Sequence, residues 1–173
     1  MRVVFFLMGV MFPMWVIAVP LDIRYGVNEV DVNGDGVKDV IVRLRWENGN
    51  AHSFDRYVVA VHRGGEWLEV PLGDKQDTRF ITAEGADCVT EDDRAFHVNY
   101  TFELVGGKPH LRVTSYTRVW EEGLEKYPVY KTVYELKARQ GMLVGFPDIW
   151  LEKGKPELLK ERVCDVRSVM PRK

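Results

Sequence analysis

Cysteine is scarce in this sequence: Cys88 and Cys164 are its only two, and neither belongs to a Cys-x-x-Cys pair. That spacing removes the usual zinc-ribbon and dithiol redox sites. The four histidines, His52, His62, His97 and His110, are scattered singly, with no His-x-His or His-Glu-x-x-His arrangement to hold a catalytic zinc. Ser-x-x-Lys and Gly-x-Ser-x-Gly are missing as well, so the common serine-nucleophile hydrolases find no motif here. Basic residues number 24 against 26 acidic ones, and no basic block stands out, which argues against nucleic acid as a partner. There is no internal repeat, linker or low-complexity stretch. On these grounds the chain reads as a binding or structural protein, not an enzyme. The alternatives are a cell-envelope hydrolase whose carboxylate pair carries no motif and a structural or adhesive surface module.

The N-terminus is informative. Met1-Arg2 is followed by an apolar run from Val3 to Ala18, with small residues at Val16 and Ala18. A basic start, a short apolar core and small residues before the cut make residues 1–18 a secretory signal peptide, cleaved after Ala18. The run falls short of the roughly 20 residues of a membrane span, and Pro13 interrupts it, so a retained anchor is disfavoured and stable membrane insertion is not expected. Residues 19–173 then form a single domain, large enough for a substantial core, in a periplasmic or secreted setting. In such an oxidising compartment a Cys88–Cys164 disulfide is the default. It would stabilise by about 2–4 kcal/mol; the alternative is two unpaired thiols.

The run Asp31-Val32-Asn33-Gly34-Asp35-Gly36-Val37-Lys38-Asp39 has the register of a calcium loop. Oxygen-bearing side chains stand at positions 1, 3, 5 and 9, and a glycine stands at position 6. A hard divalent cation takes roughly six to eight oxygens, and alternate residues of a tight loop aim theirs at one centre. Asp31, Asn33, Asp35, the Val37 carbonyl and Asp39 are the candidate ligands for a structural Ca2+. The position-12 glutamate of a helical EF-hand is replaced by Val42, so the loop feeds a strand. A plain turn with solvated acids is the competing reading.

Period-two alternation dominates the rest. Val40, Val42 and Leu44 share one face of the strand leaving the loop, with Arg43 and Arg45 opposite. Phe54–His62 and Glu66–Val70 flank a Gly64-Gly65 turn and read as a hairpin. Phe96, Val98, Tyr100, Phe102 and Leu104 alternate; after Gly106-Gly107-Lys108, Leu111, Val113, Ser115, Thr117 and Val119 return. Tyr130, Thr132, Tyr134 and Leu136 follow, then the short run 142–144. Many short strands between glycine turns predict an all-β, antiparallel, jelly-roll-like β-sandwich. One C-terminal helix is expected: Pro156 suits a first turn, and Leu159, Val163, Val166 and Met170 recur at helical spacing.

Between two strands, Glu47, Asn50 and His52 form a candidate binding group, and Glu47 or Asp55 could add a carboxylate to the calcium shell. The simpler role is local backbone capping. The acids Glu84, Asp87, Glu91, Asp92 and Asp93 around Cys88 read as a solvated face, with a ligand contributed from a neighbouring loop as the alternative.

Three segments in this order, Val27–Gly36, Arg45–Phe54 and Glu84–Cys88, resemble the CarG-like carbapenem self-resistance protein family. The Arg45–Phe54 stretch is the most specific, although Trp46 interrupts it and Gly49 stands where a bulky apolar residue is usual. Val163-Cys164-Asp165-Val166 is similar to the family's closing segment and fits the Cys88–Cys164 pairing. The resemblance implies a periplasmic β-sandwich, homodimeric, that confers carbapenem resistance without hydrolysing the drug. Such a protein would bind the carbapenem itself or shield a periplasmic cell-wall enzyme.

Overall fold

A computed structural model describes residues 18–47, 53–72, 80–81, 97–106, 110–121, 123–139 and 148–171. Its strands are β1 (Ala18–Leu21), β2 (Gly26–Val30), β3 (Asp39–Glu47), β4 (Ser53–Arg63), β5 (Glu66–Glu69), β6 (Phe80–Ile81), β7 (His97–Val105), β8 (His110–Arg118), β9 (Tyr127–Ala138), β10 (Ile149–Lys153) and β11 (Glu157–Val163). They form two antiparallel sheets. The first runs β1-β7-β8-β9-β10, with β11 also on β9; the second runs β2-β3-β4-β5, with β6 also on β4. Ala18, the last residue of the expected signal segment, opens β1 against Val105; residues 1–17 lie outside the described part, as does the expected run 142–144. Among the described residues no helix is long and apolar enough to cross a membrane.

The alternation seen in the sequence does build the core. Ile41, Val59 and Val61 from one sheet meet Phe102, Leu111, Val113 and Leu151 from the other, together with Val32. The Gly64-Gly65 turn joins β4 to β5 with φ of 63° and 87°, the left-handed pair that a two-residue hairpin requires and glycine adopts without strain. On the outer face of the first sheet a charge ladder crosses four strands. Arg112 sits between Glu103 and Glu135, and Lys137 between Glu135 and Glu152. The Arg112 hydrogen bond holds the Glu135 carboxyl below its ordinary range, against a smaller effect of burial.

Two expectations need correction. The inward face of β3 is Asp39, Ile41 and Arg43, while Leu44 is 47% exposed; the arginine-bearing face is turned in because Arg43 finds a buried carboxylate there. The C-terminal helix is also replaced. Residues 157–163 are strand β11, and only Val166–Val169 forms a 3-10 turn, capped by the Asp165 side chain accepting from Arg167 N. Local helix propensity loses to pairing with β9. Leu158 pairs with Tyr130 and Arg162 with Pro128, so four residues of β11 span two of β9. That bulge carries Leu159 and Val163 to the same side, imitating a helical step. Together with Val166, Val169 and Met170 they cover Tyr116 and Val129. Arg118, fully buried, donates to the Cys164 carbonyl at 2.5 Å and lies over the Tyr127 ring. It thereby fixes the segment that carries Cys164.

The start of β3 is pinned to its surroundings. Asp39 is fully buried; one oxygen accepts from Val32 N and the other from His62 N, both at 2.9 Å. The Val32 carbonyl in turn accepts from Leu111 N at 2.7 Å, joining the two sheets. Replacing Asp39 with Asn puts an N–H2 group where an acceptor is required, and the Asp39→Asn variant is expected to lose about 1–3 kcal/mol in urea unfolding. In the same assay Leu111→Ala should cost about 2–5 kcal/mol, whereas truncating the exposed Leu158 should stay within about 0.5 kcal/mol.

Candidate functional site

Two constellations stand at opposite ends of the second sheet. The first is the loop between β2 and β3. Asp31 folds back over it, one carboxylate oxygen accepting from Gly34 N (2.7 Å) and Asp35 N (3.3 Å), the other from Gly36 N (2.8 Å). Asn33 Oδ1 accepts from Asp35 N at 2.9 Å, and its amide donates to Asp35 Oδ2 at 3.0 Å; Asp35 Oδ1 accepts from Val37 N at 2.8 Å. Gly36, at φ 86°, makes the sharp turn. The side chains at positions 1, 3 and 5 are therefore gathered over one small loop, with Val37 exposed beyond them.

Asp39, at position 9, is placed differently. Both its oxygens already accept backbone N–H groups, and it lies beneath the loop as an anchor. Burial raises its carboxyl above the usual range; the hydrogen bonds from His62 and Val32 oppose this, and the charges of Asp35 and Asp31 add to the rise. Three acids crowd one loop end, a repulsion that a bound cation would relieve. Asp31, Asn33 and Asp35 thus retain the donor set and spacing that fit Ca2+, although among the described residues no three His, Cys, Asp or Glu side chains already converge on one centre.

Glu47 and Asp55 are out of the loop's reach. Glu47 closes the nine-residue β3 that Asp39 opens, about 26 Å away at roughly 3.3 Å per residue. Asp55 stands near the start of β4, about 23 Å by the same rise from His62. Asn50 and His52 lie outside the described residues, as do Cys88 and the acids around it, and only the backbone of Glu47 is described. Cys164 Sγ lies 3.7 Å from the Glu125 carbonyl oxygen.

Asp55 belongs to the second constellation. It is 3% exposed. One of its oxygens accepts from the Tyr25 hydroxyl at 2.8 Å; the other accepts from Arg43 Nε at 2.8 Å and also from Arg43 Nη2. Arg43 Nη1 donates to the Ile23 carbonyl at 3.2 Å. The guanidinium lies 4.3 Å from the Tyr25 ring centre and 5.7 Å from that of Tyr57, distances suited to cation–π attraction. Burial works against the charge on Arg43, but the hydrogen bonds to Asp55 and its negative surroundings outweigh it, so the group is held charged. Tyr57 continues the cluster across the sandwich, edge-on to Tyr100 at 6.2 Å and tilted on Phe102 at 4.9 Å.

Strand register extends this polar lining. Tyr100 pairs with Ser115, and Ser115 with Thr132; both hydroxyl residues are buried. Ser115 also hydrogen-bonds Tyr134. Burial pushes the Tyr100 hydroxyl well above the ordinary phenol range, with Tyr134 and Tyr57 adding to the rise, and burial raises Tyr134 as well; Tyr100 and Tyr134 are neutral hydrogen-bonding groups at any physiological pH. Of this set the sequence pattern placed Tyr100, Phe102, Ser115, Thr132 and Tyr134 on alternating strands and flagged only Asp55 as a site residue, for a different role. The visible clue was Arg43 on a face that alternation would have left to solvent.

Comparison with known proteins places the chain. It shares its fold with a protein solved under the description "Crystal structure of CarG": the TM-score is 0.67 over 87% of this chain and 92% of that one, at 19% sequence identity. Curated proteins give no match. The family model described as "Carbapenem resistance protein CarG-like" matches residues 23–171, from just after β1 through the 3-10 turn. This chain belongs to the CarG-like family of carbapenem resistance proteins.

Proposed function

We propose that this chain is an exported, non-catalytic binding protein that protects against a carbapenem by holding the intact drug. Membership of the resistance family over residues 23–171 carries the reading. The site chemistry supports binding over hydrolysis. The buried carboxylate of Asp55 is occupied by Arg43 and Tyr25, and that of Asp39 by two backbone N–H groups. Donors on every side hold a carboxylate in its ion-paired or hydrogen-bonded role and leave no free general acid or base at either position.

Export rests on the Met1–Ala18 segment, a Cys88–Cys164 disulfide on that compartment, and a homodimer on family resemblance. Calcium belongs to the same proposal. Asp31, Asn33, Asp35 and the Val37 carbonyl would hold the ion, with Asp39 fixing the loop from below. The ion would rigidify the turn and take no part in chemistry. Its site lies at the end of the sheet remote from Asp55, in keeping with a brace.

Purified protein mixed with a carbapenem should leave the drug's absorbance unchanged for hours while equilibrium dialysis shows it retained; turnover would overturn the binding reading. Retention of a cell-wall enzyme from periplasmic extract, with no retained drug, would move protection to that enzyme. For calcium, melting temperature should rise on adding Ca2+ and fall with chelator, since a ligand bound only to the native state stabilises it by mass action. Asp35→Ala should melt identically in both. A wild type indifferent to chelator would reduce the loop to an ordinary turn.

A further inference from the structure

The interior of the sandwich changes character along its length. At the Asp39 end it is aliphatic: Val32, Ile41, Val59, Val61, Leu111 and Leu151. Toward the other end the same inward faces carry Tyr57 with Arg43 paired opposite it, Tyr100, Ser115 and Thr132, and one step further along β4 Asp55. Burying polar groups is costly unless each is paired, so a polar interior demands a partner for every donor and acceptor. A sandwich needing only a core would continue in Val and Leu. Aromatic walls with a few convergent polar groups are the composition of small-molecule sites.

Arg43 is the group at that end with capacity to spare. A guanidinium has five N–H donors. Nε and one Nη2 hydrogen serve Asp55, and one Nη1 hydrogen serves Ile23. Among the described residues no further acceptor takes the remaining N–H on each terminal nitrogen, and the side chain is 24% exposed. Two such donors on adjacent nitrogens match the two oxygens of a carboxylate. Tyr25, 59% exposed, lies with its ring over the guanidinium and can cover a bound group.

We propose that the end of the sandwich between Tyr25, Arg43 and Tyr57 is a recognition site for a small organic carboxylate, gripped end-on by Arg43 and covered by Tyr25. It rests on the drug-binding reading in one respect, because the carbapenem nucleus carries a ring carboxylate that would be the group gripped. Asp55 is here a positioning residue: it takes one side of the guanidinium and leaves the other aimed outward.

Calorimetric titration with meropenem and with its methyl ester tests the proposal. Wild type should bind the acid at least about tenfold more tightly than the ester, and Arg43→Lys, which keeps the charge but loses the paired donors, should lose that preference. Tyr25→Ala should weaken the acid severalfold while still unfolding cooperatively on heating, at a lowered melting temperature because Asp55 loses a donor, and it carries the test if Arg43→Lys does not fold. Acid and ester bound alike, or Tyr25→Ala unchanged when Arg43→Lys is unfolded, would overturn the carboxylate site while leaving drug binding intact. If wild type ignores meropenem altogether, drug binding fails and benzoate decides. NMR shifts at Arg43 Nε and Tyr25 that saturate with millimolar benzoate, and that Arg43→Lys lacks, would keep the site; no shift would end it.

Discussion

The buried carboxylate of Asp39 is the interaction on which the rest of this structure leans. A charge removed from water must be satisfied by donors or it becomes a large penalty. Here each oxygen meets a backbone N–H, one from Val32 and one from His62. Those two bonds fix where the loop ends, where β3 begins and how β4 lies beside it. Through the Val32 carbonyl and Leu111 N the same anchor reaches the opposite sheet. The alignment of the two sheets, and with it the meeting of Tyr57 with Tyr100 and Phe102, follows from this one fixed end.

From that anchor the sandwich grades from aliphatic to polar. The two ends differ in chemistry: one holds the sheets together through an aliphatic core, and the other lines the interior with a guanidinium, buried phenols and buried hydroxyls, with Tyr25 exposed at its edge. The gradient is built from side chains that alternate along ordinary strands. Arg43 and Asp55 take the positions that Ile41 and Val59 fill nearer the anchor. Pairing makes this tolerable, because a half-buried arginine beside a buried aspartate costs far less than an unpaired buried carboxylate. Rigidity also follows. Arg43 is clamped between Asp55, the Ile23 carbonyl and two aromatic rings, so its guanidinium has a defined orientation.

The all-β class, the main hairpins and the inward stripe Tyr100–Phe102 with Leu111–Val113–Ser115 were legible because strand alternation is a local signal that burial on one face enforces. The loop's gathered side chains were legible for the same reason: Asx turns and glycine conformations are decided within a few residues. The reversed face of β3 was not. Alternation identifies two faces, and choosing between Val40-Val42-Leu44 and Ile41-Arg43 depends on Asp55, which comes from another strand. The C-terminal strand misled for a related reason. A bulge against β9 reproduced helical spacing in Leu159, Val163, Val166 and Met170, and its partner on β9 lies some thirty residues earlier in the chain.

By itself the sequence determined the class of fold, the turn chemistry of Asp31–Asp39 and membership of a family whose islands survive in order. These rest on neighbours in the chain, whose geometry covalent spacing imposes. Only the tertiary structure decided that Asp39 is an anchor, that Asp55 serves Arg43 and not the loop, and that Tyr25 covers them both. Each of these depends on which distant donor reaches a buried carboxylate first, and that is settled by sheet register, which places Asp55 at the far end of β4 from the loop.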